Sequence, residues 1–233
     1  MSASDSVSVS GEASVSGSES LPPYSPVIET IDGEVFFDAS TSMLKSAKKG
    51  SKSKQTRFEQ GEEVGLDLLK DFLKVDDDGI EMGYFNRTFK TRHVTSVDEA
   101  RALYETIEDS VQSGTKMAPL LRDRFADFKK VYRKSKRRRV IVIITDGMTK
   151  DFDEVIAAIR EMAEWEYLPD HKALGIMFVL AGDSKGGKEM METIDDNKVF
   201  PPLKYDLVDC KTIEWMEAEG RTLADVIAQA FDD

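Results

Sequence analysis

From Val27 onward, apolar residues alternate between short continuous runs and longer stretches with a three- or four-residue spacing. Short runs are typical of buried strands, and the wider spacing is typical of helices with one apolar face. The runs predict strands over residues 34–38, 80–85, 92–95, 140–145, 173–181 and 205–208. The spaced residues predict helices over residues 58–73, 97–111, 117–132, 152–162, 190–194 and 223–231.

Strands that alternate with helices along the chain predict an α/β layered fold. The run from Val140 to Ile144 is apolar throughout, as expected for a central parallel strand that is covered on both faces. We therefore predict a Rossmann-like, doubly wound and mainly parallel central sheet flanked by helices. In such sheets, ligands bind beyond the carboxyl ends of the strands, near the point where the strand order reverses.

Residues 1–26 differ in composition from the rest of the chain. Nine of the first twenty residues are Ser, and such a stretch cannot bury enough apolar area to offset the entropy that is lost on ordering. We predict a disordered, Ser-rich tail over residues 1–26 and a single domain over residues 27–233. The tail is interpreted as a solvating linker, with a phosphorylatable or docking segment as the alternative.

Composition narrows the classes of partner. A formal net charge of −12 argues against a nucleic-acid binder, because the phosphate backbone requires a basic face. The single cysteine, Cys210, excludes an internal disulfide, and no apolar run approaches the length of a membrane span. The first residues lack the basic and apolar regions of a secretory signal. We expect a cytoplasmic protein that has neither nucleic-acid nor membrane partners.

Oxygen-bearing side chains follow two of the predicted strands. Asp38, Ser40 and Ser42 come two residues apart directly after the first strand, and Asp146 directly follows the strand over residues 140–145. Thr115 lies in a polar loop between two predicted helices. If the two strands are neighbours, both carboxylates face one crevice at the edge of the sheet. Carboxylate and hydroxyl oxygens suit a hard divalent cation such as Mg²⁺.

The order of these residues resembles that of a von Willebrand factor A-type (vWA) domain with a metal-ion-dependent adhesion site (MIDAS). That family has D-x-S-x-S after its first strand, a Thr in a later loop and an Asp after its fourth strand. The resemblance covers about residues 31–233 of this chain. It implies that Ser40, Ser42 and Thr115 offer hydroxyl oxygens directly to Mg²⁺ or Mn²⁺, whereas Asp38 and Asp146 act largely through water.

The resemblance also implies a function. An ion with neutral first ligands stays under-neutralised, so it accepts an acidic group from a protein partner at its open position. We therefore expect a metal-dependent protein–protein interaction module and no enzyme. Relatives inside cells often serve as adaptors for larger assemblies, including ATPase complexes, which implies the role of an intracellular adaptor.

Two other interpretations of Asp38 stay open. Asp38 fits the nucleophile of a Mg²⁺-dependent phosphoryl-transfer enzyme on a similar sheet. Haloacid-dehalogenase-like phosphatases, however, have a second acid where this chain has Ser40. Asp38 and the serines that follow it also fit the cap of a helix amino terminus.

Basic residues flank the candidate site in the sequence. The loop over residues 45–54 is rich in Lys, and it can attract an acidic partner, compete with the ion or form a solvated insertion. Lys116 directly follows Thr115, and we expect its charge to point away from the site. Residues 182–188 nearly fit a phosphate-binding P-loop, but Glu189 stands where that motif requires a hydroxyl.

Overall fold

A computed structural model of the chain describes residues 30–47, 55–75, 78–147, 149–195 and 204–232. Six strands are present in these ranges: β1 Ile31–Asp38, β2 Ile80–Phe85, β3 Phe89–Val94, β4 Arg138–Thr145, β5 Leu174–Leu180 and β6 Val208–Thr212. They form one sheet in the order β3-β2-β1-β4-β5-β6. Only the edge strand β3 is antiparallel to its neighbour among the paired strands described. The predicted mainly parallel sheet is thus confirmed.

Helices connect the parallel strands and cover both faces of the sheet. The α-helices of the described ranges are α1 Arg57–Val75, α2 Val97–Asp109, α3 Ala118–Ser135, α4 Phe152–Ala163, α5 Lys185–Asp195, α6 Ile213–Glu219 and α7 Leu223–Asp232. One turn of 3₁₀ helix, His171–Ala173, precedes β5. No helix in these ranges is both long enough and apolar enough to cross a membrane.

The central strands are buried on both faces, which explains their continuous apolar runs. Phe37 of β1 packs in a core with α1, α2 and α7, whereas its neighbour Phe36 packs in a second core with α3, α4 and α5. In β4, Val142 belongs to the first core and Ile143 to the second. Two separate cores thus lie on the two faces of one sheet, and the prediction of a doubly wound fold is confirmed.

In the carboxyl-terminal part, the prediction of the last strand was wrong and one helix was not predicted. The last strand is not at residues 205–208 but begins at Val208, and its other residues are polar or half-buried because β6 lies at the edge of the sheet. The short helix α6, which follows β6 directly, was not predicted at all. Thr212 caps this helix by accepting a hydrogen bond from the backbone N–H of Trp215 at 3.0 Å.

Several sequence predictions lie outside the described residues. These are the disordered tail over residues 1–26, the exact start of the domain after it, and most of the basic loop, residues 48–54. They stay predictions.

The register of the two central strands positions the candidate site. In the parallel pair β1–β4, Phe37 is opposite Ile144. Both strands therefore end at the same level, and this brings Asp38 to the same edge of the sheet as Thr145 and Asp146. The condition that the two acids belong to neighbouring strands is met.

Candidate metal centre

Asp38 ends β1 and has no exposed surface. Its Oδ1 accepts a hydrogen bond from the backbone N–H of Ser40 at 2.9 Å, and its Oδ2 accepts one from the hydroxyl of Thr145 at 2.8 Å. Burial and, to a smaller extent, the nearby charge of Asp146 raise the pKa of Asp38 to about 7, against the effect of these hydrogen bonds. A charged Asp38 is therefore costly in the bare protein, and a cation beside it would stabilise the charged form.

Ser40 and Ser42 meet in the tight turn that follows β1. Their hydroxyl oxygens lie 2.9 Å apart. The turn is fixed by a hydrogen bond from the N–H of Met43 to the carbonyl of Ser40 at 3.0 Å, and Met43 is fully buried. The alternating D-x-S-x-S spacing thus brings two hydroxyls together in the turn directly after β1.

Thr115 reaches this edge of the sheet through backbone contacts between two loops. Gln112 donates its N–H to the carbonyl of Ala39 at 3.0 Å and accepts one from Thr41 at 3.2 Å. Thr115 is 4% exposed, and its carbonyl accepts the N–H of Lys150 at 3.1 Å. The loop of Thr115 is therefore held between the D-x-S-x-S turn and the segment after β4.

Lys116 directly follows Thr115 in the sequence. Its side chain is exposed to solvent, while its backbone N–H donates to the carbonyl of Asn86 at 2.6 Å. Asn86 is buried and donates its side-chain amide to the carbonyl of Ser110 at 3.1 Å. Asn86 thus braces both ends of the loop, and the charge of Lys116 lies at the surface rather than among the buried oxygens.

Asp146 follows β4 and is 1% exposed. Its Oδ2 lies 2.7 Å from Nη1 of Arg57, the first residue of α1. Its Oδ1 is buried and has no hydrogen-bond partner among the described residues. A buried carboxylate oxygen without a partner is unfavourable. A hydrogen-bond donor or a cation beside this oxygen would offset that cost.

Three residues of the centre were missed in the sequence: Arg57, Thr145 and Asp151. Thr145 carried a signal, because it is a polar residue at the end of an apolar strand. Asp151 accepts the backbone N–H groups of Met117 and Ala118, each at 3.0 Å, and so fixes the start of α3 after the Thr115 loop. Arg57 carried no local signal, since it is 89 residues from Asp146.

The donor set fits a small, hard divalent ion. All five predicted residues present oxygen, and both carboxylates are buried. Neither nitrogen nor sulfur ligands are needed for Mg²⁺ or Mn²⁺. Within the described ranges, no group of three or more His, Cys, Asp or Glu side chains is arranged to hold a metal. A metal at this edge of the sheet would therefore depend on the hydroxyls of Ser40, Ser42 and Thr115.

Several solved structures share the fold of this chain. The manganese-loaded TRAP protein of Plasmodium vivax matches with a TM-score of 0.56 at 11% identity, over 82% of this chain and 72% of that one. An aerotolerance-related membrane protein from Bacteroides fragilis matches with 0.54 at 15% identity, over 87% and 96%. The PilB minor pilin of Streptococcus sanguinis matches with 0.54 at 11% identity, over 87% and 62%.

These structures have the vWA fold, and this chain shares that fold. The fold implied by the sequence resemblance is thereby confirmed. No protein-family model and no curated protein matches the sequence. Likeness at 11–15% identity establishes the fold alone, so the support for a metal centre comes from the residues of this chain.

Proposed function

We propose that this vWA-like domain is a metal-dependent protein-interaction module. Its ion, Mg²⁺ or Mn²⁺, is held by Asp38, Ser40, Ser42, Thr115 and Asp146. The observation that supports the proposal best is the convergence of two buried carboxylates, Asp38 and Asp146, at the ends of neighbouring parallel strands. A buried oxygen of Asp146 without a partner among the described residues points in the same direction.

The residues of the candidate site have different roles in this proposal. The hydroxyls of Ser40, Ser42 and Thr115 provide neutral ligands. Asp38 orients the D-x-S-x-S turn by accepting a hydrogen bond from the N–H of Ser40. The hydroxyl of Thr145 donates a hydrogen bond to Asp38 and so fixes the carboxylate. When bound, the ion supplies a positive centre with an open position for a carboxylate. The preferred partner is therefore a protein that presents an acidic side chain.

The alternative function, phosphoryl transfer with Asp38 as the nucleophile, has less support. A nucleophilic carboxylate needs a free oxygen that faces the substrate. Both oxygens of Asp38 accept hydrogen bonds from within the fold, and the side chain has no exposed surface. Asp38 is therefore better placed to shape the turn than to attack a phosphoryl group.

The wider biological role is proposed on family resemblance. Intracellular relatives act as adaptors for larger assemblies, so we propose a cytoplasmic adaptor whose partner belongs to such an assembly. The manganese-loaded state of the Plasmodium vivax structure supports a divalent ion in this fold.

The proposal is tested first by metal binding and then by partner binding. Calorimetry with Mn²⁺ should show one site in the wild-type chain, with a Kd raised about tenfold or more in Ser40→Ala, since one ligand is lost. Ser135→Ala is a matched control, because Ser135 lies at the exposed end of α3. Pull-downs from the native host, with Mg²⁺ or with chelator, should lose the same partners in chelator and in Ser40→Ala. Partner binding that ignores both changes would rule the proposal out.

A further inference from the structure

Arg57 places a positive charge inside the candidate metal centre. Its Nη1 lies 2.7 Å from Oδ2 of Asp146, and the two side chains are 12% and 1% exposed. Charges this close and this well shielded from water interact strongly. Part of the negative charge of the centre is therefore balanced from within the chain.

Contacts on two sides hold Arg57 in this position. Its backbone N–H donates to the carbonyl of Lys45 at 3.0 Å, in the segment that follows the D-x-S-x-S turn. Its side chain lies against Gly182, where an added Cβ would come within 2.8 Å of Nε and 2.9 Å of Cγ. Gly182 has φ +81°, a conformation that favours glycine. The glycine after β5 thus leaves the space that the arginine side chain occupies.

A divalent ion would draw on the same carboxylate. Asp146 offers Oδ2 to Arg57, and only its Oδ1 is without a hydrogen-bond partner in the part of the chain that the structure describes. A metal ion near Asp146 would be repelled by the guanidinium, and the repulsion is strong where water is excluded. Whether Arg57 stays or moves aside, its charge opposes binding of the metal.

We propose that Arg57 is a resident counter-cation of Asp146, which weakens binding of the divalent ion and stabilises the metal-free centre. This inference rests on the proposed metal site. It gives the site two states: Arg57 neutralises Asp146 when the ion is absent, and the ion takes over that task when its free concentration is high enough. Metal occupancy, and with it partner binding, then follows the supply of the ion rather than being permanent.

The first test compares the Kd for Mn²⁺ between the wild-type chain and variants of Arg57. Arg57→Gln removes the charge and should lower the Kd about tenfold or more. Arg57→Lys keeps the charge and should stay within about threefold of the wild type. Arg122→Gln is the matched control, because it removes the same charge from an exposed pair with Glu161 and should leave the Kd unchanged.

Thermal unfolding in chelator gives a second measurement that needs neither metal nor partner. Arg57→Gln should melt at a lower temperature than the wild type, because buried Asp146 loses its counter-ion. Saturating Mn²⁺ should then raise the Tm of Arg57→Gln more than that of the wild type. If Arg57→Gln is unfolded in chelator, its recovery on addition of Mn²⁺ is the expected result, and failure to recover counts against the inference.

The outcomes separate this inference from the proposed function. Equal Mn²⁺ affinity in the wild type and Arg57→Gln, or tighter binding by the wild type, overturns the role of Arg57 and leaves the metal site standing. Absence of Mn²⁺ binding in both proteins overturns the metal site, and the inference falls with it. Ser40→Ala in the Arg57→Gln background should remove the gain in Mn²⁺ affinity. This result would show that the tighter binding takes place at the D-x-S-x-S turn.

Discussion

Thr145 on β4 donates its hydroxyl to Oδ2 of Asp38 on β1, with 2.8 Å between the two oxygens. The same hydroxyl accepts the backbone N–H of Gly147 at 3.1 Å. One buried side chain therefore links the acid at the end of β1 to the turn that carries Asp146. This link couples the two halves of the candidate centre, which come from residues 107 positions apart.

Replacing Thr145 by Val keeps the shape of the side chain and removes both hydrogen bonds. We expect the free energy of unfolding in chelator to fall by about 1–3 kcal/mol, because a carboxylate oxygen and an N–H lose a buried partner. The Kd for Mn²⁺ should rise as Asp38 loses its fixed orientation. Urea unfolding and calorimetry measure the two effects. Thr193→Val, which removes a hydroxyl bonded within α5, is the control, and an equal loss in both variants would contradict the special role of Thr145.

Asp151 is expected to control the order of the Thr115 loop. Its carboxylate is the acceptor for the N–H groups of Met117 and Ala118, so Asp151→Ala should destabilise the fold by about 1–3 kcal/mol. Hydrogen exchange at Met117 and Ala118 should become faster, and Mn²⁺ binding should weaken because Thr115 is no longer held in place. Asp153→Ala, at an exposed position in the first turn of α4, should change neither the hydrogen exchange of Met117 and Ala118 nor Mn²⁺ binding. Unchanged exchange in Asp151→Ala would show that the loop is held by other contacts.

Glu34 lies near the opposite end of β1 from Asp38. We expect it to make the free energy of unfolding depend on pH. It lies 2.7 Å from Arg139 and 3.9 Å from Arg124. Burial nevertheless raises its pKa to about 7, the two arginines lower it, and Asp127 and Glu81 add to the rise. Because the folded state holds the proton more tightly than the unfolded state, this group makes stability fall as the pH rises from about 4.5 to 7.

Glu34→Gln isolates that effect. Between pH 5 and pH 8, the difference in the free energy of unfolding should shift by about 2–3 kcal/mol in favour of the variant. The comparison is made in chelator, where Asp38 titrates in both proteins and cancels. Glu105→Gln, on the exposed side of α2, is the matched control. A constant difference for Glu34→Gln would mean that Arg139 keeps Glu34 charged throughout this range.

Gly65 tests the packing of α1 against the sheet. Helix propensity alone predicts that Gly65→Ala stabilises the protein by about 1 kcal/mol. An added Cβ, however, would lie 2.3 Å from Oη of Tyr104 and 2.5 Å from Cζ of Phe37. We therefore expect a loss of about 1–3 kcal/mol in chemical unfolding, because overpacking outweighs propensity. A gain in stability would show that the two rings shift easily.

Much of the fold could be predicted from local patterns. The apolar run from Val140 to Ile144 predicted a central strand because a strand covered on both faces has no polar side. The edge strand β6 was misplaced for the opposite reason: its half-buried residues, Asp209 to Thr212, show no apolar run. The antiparallel direction of β3 follows from its short connection to β2, because a parallel pair needs a much longer crossover.

The candidate site likewise has features that the sequence predicts and features that only the structure reveals. The sequence alone determined which oxygen-bearing residues follow the strand ends, namely Asp38, Ser40, Ser42 and Asp146, because strand ends and short spacings are local features. The tertiary structure decided which side chains meet them. Arg57 reaches Asp146, and Thr145 reaches Asp38, only because β1 and β4 are neighbours and α1 begins above them. Such contacts join residues far apart in the chain, and their energies depend on burial that no local pattern records.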